Sequence, residues 1–205
     1  MRAWSCVVIA AVLLVAGCAT GAVEPPAGTS KVATKFPAQG TKWRTHAAGT
    51  DGLDTTYTLT ALGDDTYEGK PVFRVSDGVD VFVFDKASHS WMATLRNGQE
   101  RFSASPHDGS GSTELWVGKS WMASYTYYDR ERGRSFSNVT YWWKVAAYAD
   151  VTVPAGTYKA FKIEGSNPFS EVVYWYAPDL WVTVRRVYER NAGHYLGYGK
   201  FTTEL

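Results

Sequence analysis

The sequence predicts an all-β fold, in which a single antiparallel meander sheet curls into a half-barrel, a barrel or a sandwich. Three observations support this prediction. Aromatic and β-branched residues recur with a period of two along most of the chain from residue 41 onward. Turn signals such as Asp77-Gly78 and Asn97-Gly98 separate these runs at short intervals. After the N-terminal leader, no stretch has the 3.6-residue periodicity of a confident amphipathic helix.

The strands can be assigned in order from this alternation. They are predicted around residues 56–61, 81–84, 121–128, 139–147 and 182–189. In the last of these, Val182, Val184 and Tyr188 share a face opposite Thr183 and Arg185. Between them, residues 103–112 are small and polar, which predicts a loop, with a lid over a ligand site as the alternative.

Length and composition limit the classes of protein that the chain can belong to. Its 205 residues suit one domain after a leader. Hydrophobic residues make up 45% and charged residues 20%, which excludes a disordered chain and a multi-span membrane protein. Lys and Arg number 21 against 20 Asp and Glu, a formal charge of +1. Because nucleic-acid surfaces need clustered basic excess, no nucleic-acid partner is expected.

The first 17 residues have the features of a secretory signal peptide. Arg2 precedes an apolar run over residues 7–15 that is too short to span a bilayer. The following Val15-Ala16-Gly17-Cys18 resembles the lipobox of bacterial lipoproteins, in which the cysteine thiol receives diacylglycerol and cleavage makes that cysteine the first residue. The resemblance implies lipidation of Cys18, with a plain secretory leader as the alternative.

The residues around Cys18 also bear on location and covalent chemistry. Cys6 is the other cysteine and lies within the predicted leader, so acylation of Cys18 leaves no disulfide. Ala19 follows the cysteine, whereas Asp at that position retains proteobacterial lipoproteins in the inner membrane. The expected location is therefore the bacterial cell envelope, lipid-anchored, and the outer membrane if the source is Gram-negative.

Residues 18–40 are predicted to form a flexible tether, and residues 41–205 a single all-β domain. The tether contains Pro25, Pro26 and Pro37 among small residues, and nothing large and apolar precedes Phe36. As a flexible coil it would reach roughly 25 Å root-mean-square. Such a tether holds the domain near the membrane without burying it there.

Several motifs between residues 110 and 190 resemble a known family. They are Gly118-Lys119-Ser120-Trp121, a Val-Pro-Ala-Gly-Thr-Tyr hairpin from Val153 to Tyr158, and Tyr174-Trp175-Tyr176-Ala177-Pro178. This set is similar to an uncharacterised family of bacterial envelope proteins, the TapB-like group. The resemblance implies an all-β fold comparable with the half-barrels of the LolA and LolB lipoprotein carriers, and it brings no catalytic residues. The same motifs also have a purely structural interpretation, as a turn after Val153 and a strand end at Ala177-Pro178.

The sequence predicts no catalytic, cofactor or metal site, and therefore no enzyme. His46, His89, His107 and His194 are far apart and lack the spacing of metal ligands. Gly118-Lys119-Ser120 lacks the earlier glycine that a phosphate loop requires, because Thr113 occupies that position. An enzyme stays as a third alternative for which no constellation of residues is found.

Large rings occupy both faces of the later predicted strands, as in Tyr127-Tyr128 and Trp142-Trp143. Successive strand residues point to opposite faces, so the second face must pack on another layer, line a cavity or meet a partner. Two hypotheses follow: non-enzymatic binding of an apolar or amphiphilic ligand, or an accessory or scaffold lipoprotein that docks an envelope protein through an aromatic face. The candidate residues for either role are Trp121, Tyr125, Trp143, Tyr174 and Tyr176. The expected partners are the membrane, through the lipid anchor, and a lipid-like ligand or an envelope protein.

Overall fold

The structure is a computed structural model that describes Pro25 and residues 30–205. The predicted signal peptide and Cys18 lie outside these described residues. The strands are β1 (Val32–Ala33), β2 (Lys42–Gly49), β3 (Asp54–Tyr67), β4 (Lys70–Ser76), β5 (Asp80–Asp85), β6 (Trp91–Arg96), β7 (Gln99–Ser105), β8 (Glu114–Leu115), β9 (Ser120–Asp129), β10 (Arg134–Val153), β11 (Gly156–Asn167), β12 (Ser170–Ala177), β13 (Val182–Arg190) and β14 (Gly199–Glu204). In this part of the chain, no helix is long and apolar enough to cross a membrane.

Twelve of these strands form one closed antiparallel barrel. Neighbouring strands follow chain order from β2 to β7, then β9 to β14, and β14 pairs with β2 to close the sheet. The short strands β1 and β8 pair with each other outside the barrel sheet. The all-β meander prediction is thus confirmed, and among the architectures it allowed the chain adopts the barrel.

The predicted turns lie where the strands reverse. Asn97 and Gly98 both have positive φ, at 52° and 76°, between β6 and β7, as a two-residue hairpin loop requires. Val153 is the last residue of β10 and Gly156 the first of β11, and β12 ends at Ala177, before Pro178. The pairing of β12 with β13 shifts in register between Trp175 and Tyr176, and Tyr176 pairs with Thr183. This shift breaks the alternation that the sequence predicts for β13.

Antiparallel alternation divides the loops between two ends of the barrel. One end, called here the N-terminal end, carries residues 31–41, 86–90, 106–119 and 178–181. The other, called the far end, carries residues 130–133, 168–169 and 191–198. The inner faces of the strands between these ends enclose the space in which the functional side chains lie.

Part of the segment predicted as a flexible tether is packed at the N-terminal end. Val32 and Ala33 pair with Leu115 and Glu114, and Phe36 stacks on Phe73 with ring centroids 4.4 Å apart. Within the predicted 18–40 segment, the described residues from 31 to 37 therefore belong to the folded body. The physical reason is that their apolar side chains meet partners distant in the sequence.

The largest buried cluster lies on the side of the barrel formed by β10, β11 and β12. It comprises Leu115, Tyr141, Trp143, Val145, Phe161, Ile163 and Val172, with further rings packed against it. Leu115 comes from β8, so the short sheet contributes to this core at the N-terminal end. The cluster fixes the inner wall on which the candidate aromatic residues lie.

Candidate functional site

A cavity of about 1160 Å³ lies inside the barrel. Ligand sites for small molecules occupy roughly 300–1,000 Å³, so this space can hold a molecule of that size or somewhat larger. Residues of nearly every barrel strand line it, together with Phe36 of the packed N-terminal segment and residues of the loops at both ends. The closed sheet therefore surrounds a space that its own side chains do not fill.

Four of the five predicted aromatic residues line this cavity: Tyr125, Trp143, Tyr174 and Tyr176. Trp121 does not line it. Its ring stacks on Trp143 at 6.2 Å between centroids, and its indole N–H donates to the carbonyl oxygen of Gly109 at 2.9 Å. Trp121 instead lines a smaller space of about 250 Å³ beside the loop that follows β7. As the cross-strand partner of Trp143, it lies beside the aromatic wall on the same face of the sheet.

The wall itself is a row of stacked rings across neighbouring strands. The Trp143 ring lies 5.4 Å from Tyr141 and 5.9 Å from Tyr174, with interplanar angles of 22° and 20°. These centroid separations are typical of favourable offset stacking. The Tyr141 hydroxyl is hydrogen bonded to the Ser170 hydroxyl at the start of β12, which fixes the position of the ring. The wall is therefore preorganised rather than free to fill the cavity.

Burial separates the two rings of the Trp142-Trp143 pair. Trp143 is 3% exposed and faces the interior, whereas Trp142 is 53% exposed on the outer surface beside Met122. The sequence left open whether the second face of the later strands packs on another layer, lines a cavity or meets a partner. For the inner rings, this face lines a cavity. Four of the five residues predicted for ligand binding or docking line the cavity, and Trp121 lines the smaller space beside it.

Burial keeps the phenols of this wall in their neutral form. It raises the pKa of Tyr125, Tyr141 and Tyr174 above the usual value near 10. At neutral pH each of these side chains therefore presents a hydroxyl that can donate or accept a hydrogen bond. An apolar wall with a few such groups is the ordinary composition of a small-molecule site.

Arg186 is a cavity residue that sequence reasoning missed. It pairs with Tyr174 on β12 and with Thr203 on β14, and all three line the cavity. Its guanidinium carbon lies 5.7 Å from the ring centroid of Tyr174 and 5.2 Å from that of Tyr188. The available signal was its position two residues before Tyr188, which puts a charged residue on the inward face of the strand.

Asp108 brings a carboxyl group to the same cavity from the loop between β7 and β8. Its Oδ1 accepts hydrogen bonds from the backbone N–H and the hydroxyl of Ser110 at 2.9 and 2.7 Å. Burial raises the pKa of Asp108, and the bonds from Ser110 and the charge of Arg186 only partly offset this. Burial therefore disfavours the ionised form of the Asp108 carboxyl group.

This loop is anchored to the barrel by several hydrogen bonds. The Asp108 N–H donates to the Trp91 carbonyl oxygen at 2.9 Å, and the Gly111 N–H donates to the Ser90 hydroxyl at 3.1 Å. The prediction of a loop over residues 103–112 holds from Pro106 onward, while residues 103–105 belong to β7. The anchored loop forms part of the cavity wall at the N-terminal end.

The histidines have separate hydrogen-bond partners. The ring of His89 is hydrogen bonded to the Thr34 hydroxyl at 2.7 Å, and His46 contacts Asp54 at 2.8 Å. His107 and His194 each accept a hydrogen bond from the backbone N–H two residues later in the chain. Within the residues that the structure describes, no group of three or more His, Cys, Asp and Glu side chains is arranged to hold a metal ion.

Comparison with known proteins gives three structural likenesses, two of which are described below. No protein-family model and no curated protein sequence matches the chain. The hypothetical lipoprotein YmcC from Escherichia coli (K12) is similar with a TM-score of 0.42 and 9% identity, covering 83% of this chain and 88% of that chain. An exported protein with a YmcC-like fold from Bacteroides fragilis is similar with a TM-score of 0.35 and 12% identity, covering 83% of this chain and 97% of that chain.

Proposed function

We propose that this chain is a lipid-anchored protein of the bacterial envelope whose barrel binds an apolar or amphiphilic ligand without catalysing a reaction. The observation that carries the proposal is the unfilled interior cavity of about 1160 Å³ with its wall of stacked aromatic rings. A chain that needed these rings only for stability would pack them against one another at native density and leave no such space.

The energetics favour an apolar occupant. Apolar surface in contact with water costs about 25 cal/mol per Å², and a large aromatic ring exposes about 150–250 Å² when it is uncovered. Tyr141 and Trp143 are only 8% and 3% exposed, so a ligand removes apolar surface from water mainly by covering the half-buried rings of Tyr125, Tyr174 and Tyr176. Since the rings are held by their stacking, little order is lost when the ligand binds.

The proposed anchor would bring the N-terminal end of the barrel close to the membrane. Ser30 lies twelve positions after Cys18 in the sequence, and even a fully extended chain of this length spans at most about 40 Å. The packed segment from Val32 to Phe36 then joins the barrel at that end. The cavity would therefore lie within reach of the lipids in which the acylated cysteine is inserted, in the outer membrane of a Gram-negative source.

The ligand proposal can be tested with the full-length chain that carries Cys18→Ser, so that no acyl chain of the protein itself can enter the cavity. The probe is N-phenyl-1-naphthylamine, a neutral apolar dye that fluoresces when it leaves water. Thr203 lines the cavity and Thr202 points away from it. Thr203→Trp is expected to fill part of the cavity and to reduce dye binding, and Thr202→Trp serves as the matched control.

The proposal predicts saturable dye binding to the parent chain, weaker binding to Thr203→Trp and unchanged binding to Thr202→Trp. An absence of saturable binding to the parent chain would overturn it, as would equal binding by both variants. The anchor is tested separately by the intact mass of the exported wild-type chain. Mass spectrometry should find an acylated N-terminal cysteine at position 18, and an unmodified N-terminus would contradict the anchor.

A further inference from the structure

Arg186 is a cation inside the barrel that forms no ion pair within 4 Å with any of the described acidic residues. Its side chain lies on the inner face of β13 and contacts the rings of Tyr174 and Tyr188. The polar group beside it is the neutral phenol of Tyr174, and the carboxyl group of Asp108 interacts with it only from beyond ion-pair distance.

The other charged groups of the cavity do not neutralise it. Three basic residues and one acidic residue are among the side chains that line the cavity. Two of the basic groups lie on rings away from Arg186: Lys35 is 5.0 Å from the Trp181 ring and Arg190 is 4.9 Å from the Phe201 ring. Asp108 is the acidic residue, and burial raises the pKa of its carboxyl group. The lining therefore carries a positive excess.

We propose that Arg186 binds the anionic head group of an amphiphilic ligand, a carboxylate or a phosphate monoester, while the apolar chain of that ligand lies along the aromatic wall. The inference rests on the proposed function and specifies its ligand class. The guanidinium presents a planar set of N–H donors that matches two oxygens of either anion. The hydroxyl of Tyr174 lies beside it as a further donor.

The position of Arg186 inside the barrel strengthens such a pairing, because the surrounding protein withdraws the guanidinium from bulk water. An isolated charge in an apolar surrounding is unfavourable, and the arrival of an opposite charge removes that cost. Attraction between the two charges is also larger than at the protein surface, where the high dielectric constant of water weakens it. A neutral amphiphile would cover the same rings but would leave Arg186 without an anion.

The experiment compares three ligands that share one alkyl chain: decyl phosphate, decanoate and decanol, each below its micelle concentration. Affinity is measured from the change in tryptophan fluorescence of the full-length Cys18→Ser chain and of two variants of it. Arg186→Met removes the interior cation. Arg185→Met is the matched control, because Arg185 is the next residue, faces outward and lies 3.1 Å from Glu204. Both variants lower the net charge by one.

The parent chain is expected to bind at least one of the two anions about tenfold more tightly than decanol, or better. Arg186→Met should lose this preference while it still binds decanol, and Arg185→Met should retain it. Arg186→Lys keeps the charge but not the planar guanidinium, so it should give an intermediate preference for the anions. This variant also tests the inference if Arg186→Met does not fold. The two anions separate a carboxylate ligand from a phosphate ligand.

Two results would overturn the inference, and they can be told apart. If decanol binds the parent chain as tightly as both anions, or if Arg186→Met and Arg186→Lys keep the full preference, the head-group assignment is wrong while the proposed ligand cavity stands. If none of the three ligands binds the parent chain, the proposed function fails together with the inference.

Discussion

The ring of Trp143 lies directly over Gly165, its partner on the neighbouring strand. A Cβ atom at position 165 would be 2.3 Å from Cζ3 of the indole, closer than any two such atoms approach in a folded protein. Gly165 is required here for space rather than for an unusual backbone angle. The position of this ring in turn sets the stacking of Tyr141 and Tyr174, and with it the shape of the cavity wall.

Gly165→Ala is therefore expected to destabilise the barrel by about 1–3 kcal/mol, the usual cost of forcing an extra group into a packed interior. Urea unfolding measures this loss. In a Trp143→Leu background the same substitution should cost clearly less, since the clashing ring is gone, and the difference gives the coupling between the two residues. An equal cost in both backgrounds would show that the ring does not create the constraint.

Asp108→Asn is expected to stabilise the protein at pH 8. The pKa of Asp108 is raised by burial, so folding disfavours its ionised form, and stability is lost as pH rises from the unfolded pKa, about 3.9, through the folded one. The amide oxygen of Asn can accept the same two bonds from Ser110. Thermal unfolding should show a higher Tm for the variant at pH 8 and nearly equal values at pH 3.

The exposed carboxylate of Asp179 supplies the control for this pH dependence. Asp179→Asn should change the free energy of unfolding by less than about 0.5 kcal/mol at either pH. A variant Asp108→Asn that loses stability at pH 8 would contradict the account of a carboxylate strained by its burial.

Asp129→Asn is expected to have the opposite effect. The Asp129 side chain is 0% exposed and accepts hydrogen bonds from the Arg132 backbone N–H, the Arg132 guanidinium and the Tyr195 hydroxyl at 3.0, 3.1 and 3.0 Å. Burial opposes its ionisation, but these bonds prevail and hold the pKa of Asp129 below its usual value. Loss of the charge should cost about 1–3 kcal/mol at pH 7.

Because the folded pKa is lowered, the contribution of Asp129 is complete above the unfolded pKa, about 3.9, and is lost as pH falls through the folded pKa. Urea unfolding at pH 7 and again below pH 3 should therefore show the gap between wild type and Asp129→Asn shrinking in acid. A gap that stays constant over this range would mean that the ionised carboxylate is not the stabilising form.

Phe36→Ala tests whether the N-terminal segment is part of the folded body. Phe36 stacks on Phe73 at 4.4 Å and lies 6.3 Å from Phe84 and 4.5 Å from the ring of His89. Since the side chain is only partly buried, its removal should cost about 1–3 kcal/mol in urea unfolding, below the range for a fully buried Phe. The control is Phe169→Ala, a ring 51% exposed at the far end, with an expected loss under about 0.5 kcal/mol. Equal losses would place residues 31–37 outside the folded body.

The strands and turns could be predicted because their signals are local. Alternation of large side chains and the Asn97-Gly98 turn depend only on neighbouring residues, and both appear where they were expected except at the register shift opposite β13. Closure was not predictable in the same way. The sheet closes into a barrel only because β14 pairs with β2. This pairing joins residues such as Thr202 and Ala48, which lie far apart in the sequence.

The candidate site, too, could be predicted from the sequence only in part. The rings on both faces of the later strands indicated a covered second face, and four of the five named residues line the cavity. Arg186 was missed because alternation places it on the inner face without saying that this face borders an open space. The composition of residues 18–40 is typical of a flexible linker, yet Val32 and Phe36 pack on partners that only the tertiary fold supplies.

The central claim is that the barrel encloses an unfilled space that takes an amphiphile, and native mass spectrometry of the full-length Cys18→Ser chain purified from cells tests it most directly. The account predicts a non-covalent adduct of one amphiphile per chain, present in the Thr202→Trp variant and depleted in Thr203→Trp. A chain that carries no adduct and takes up none of the alkyl ligands when they are added would contradict it.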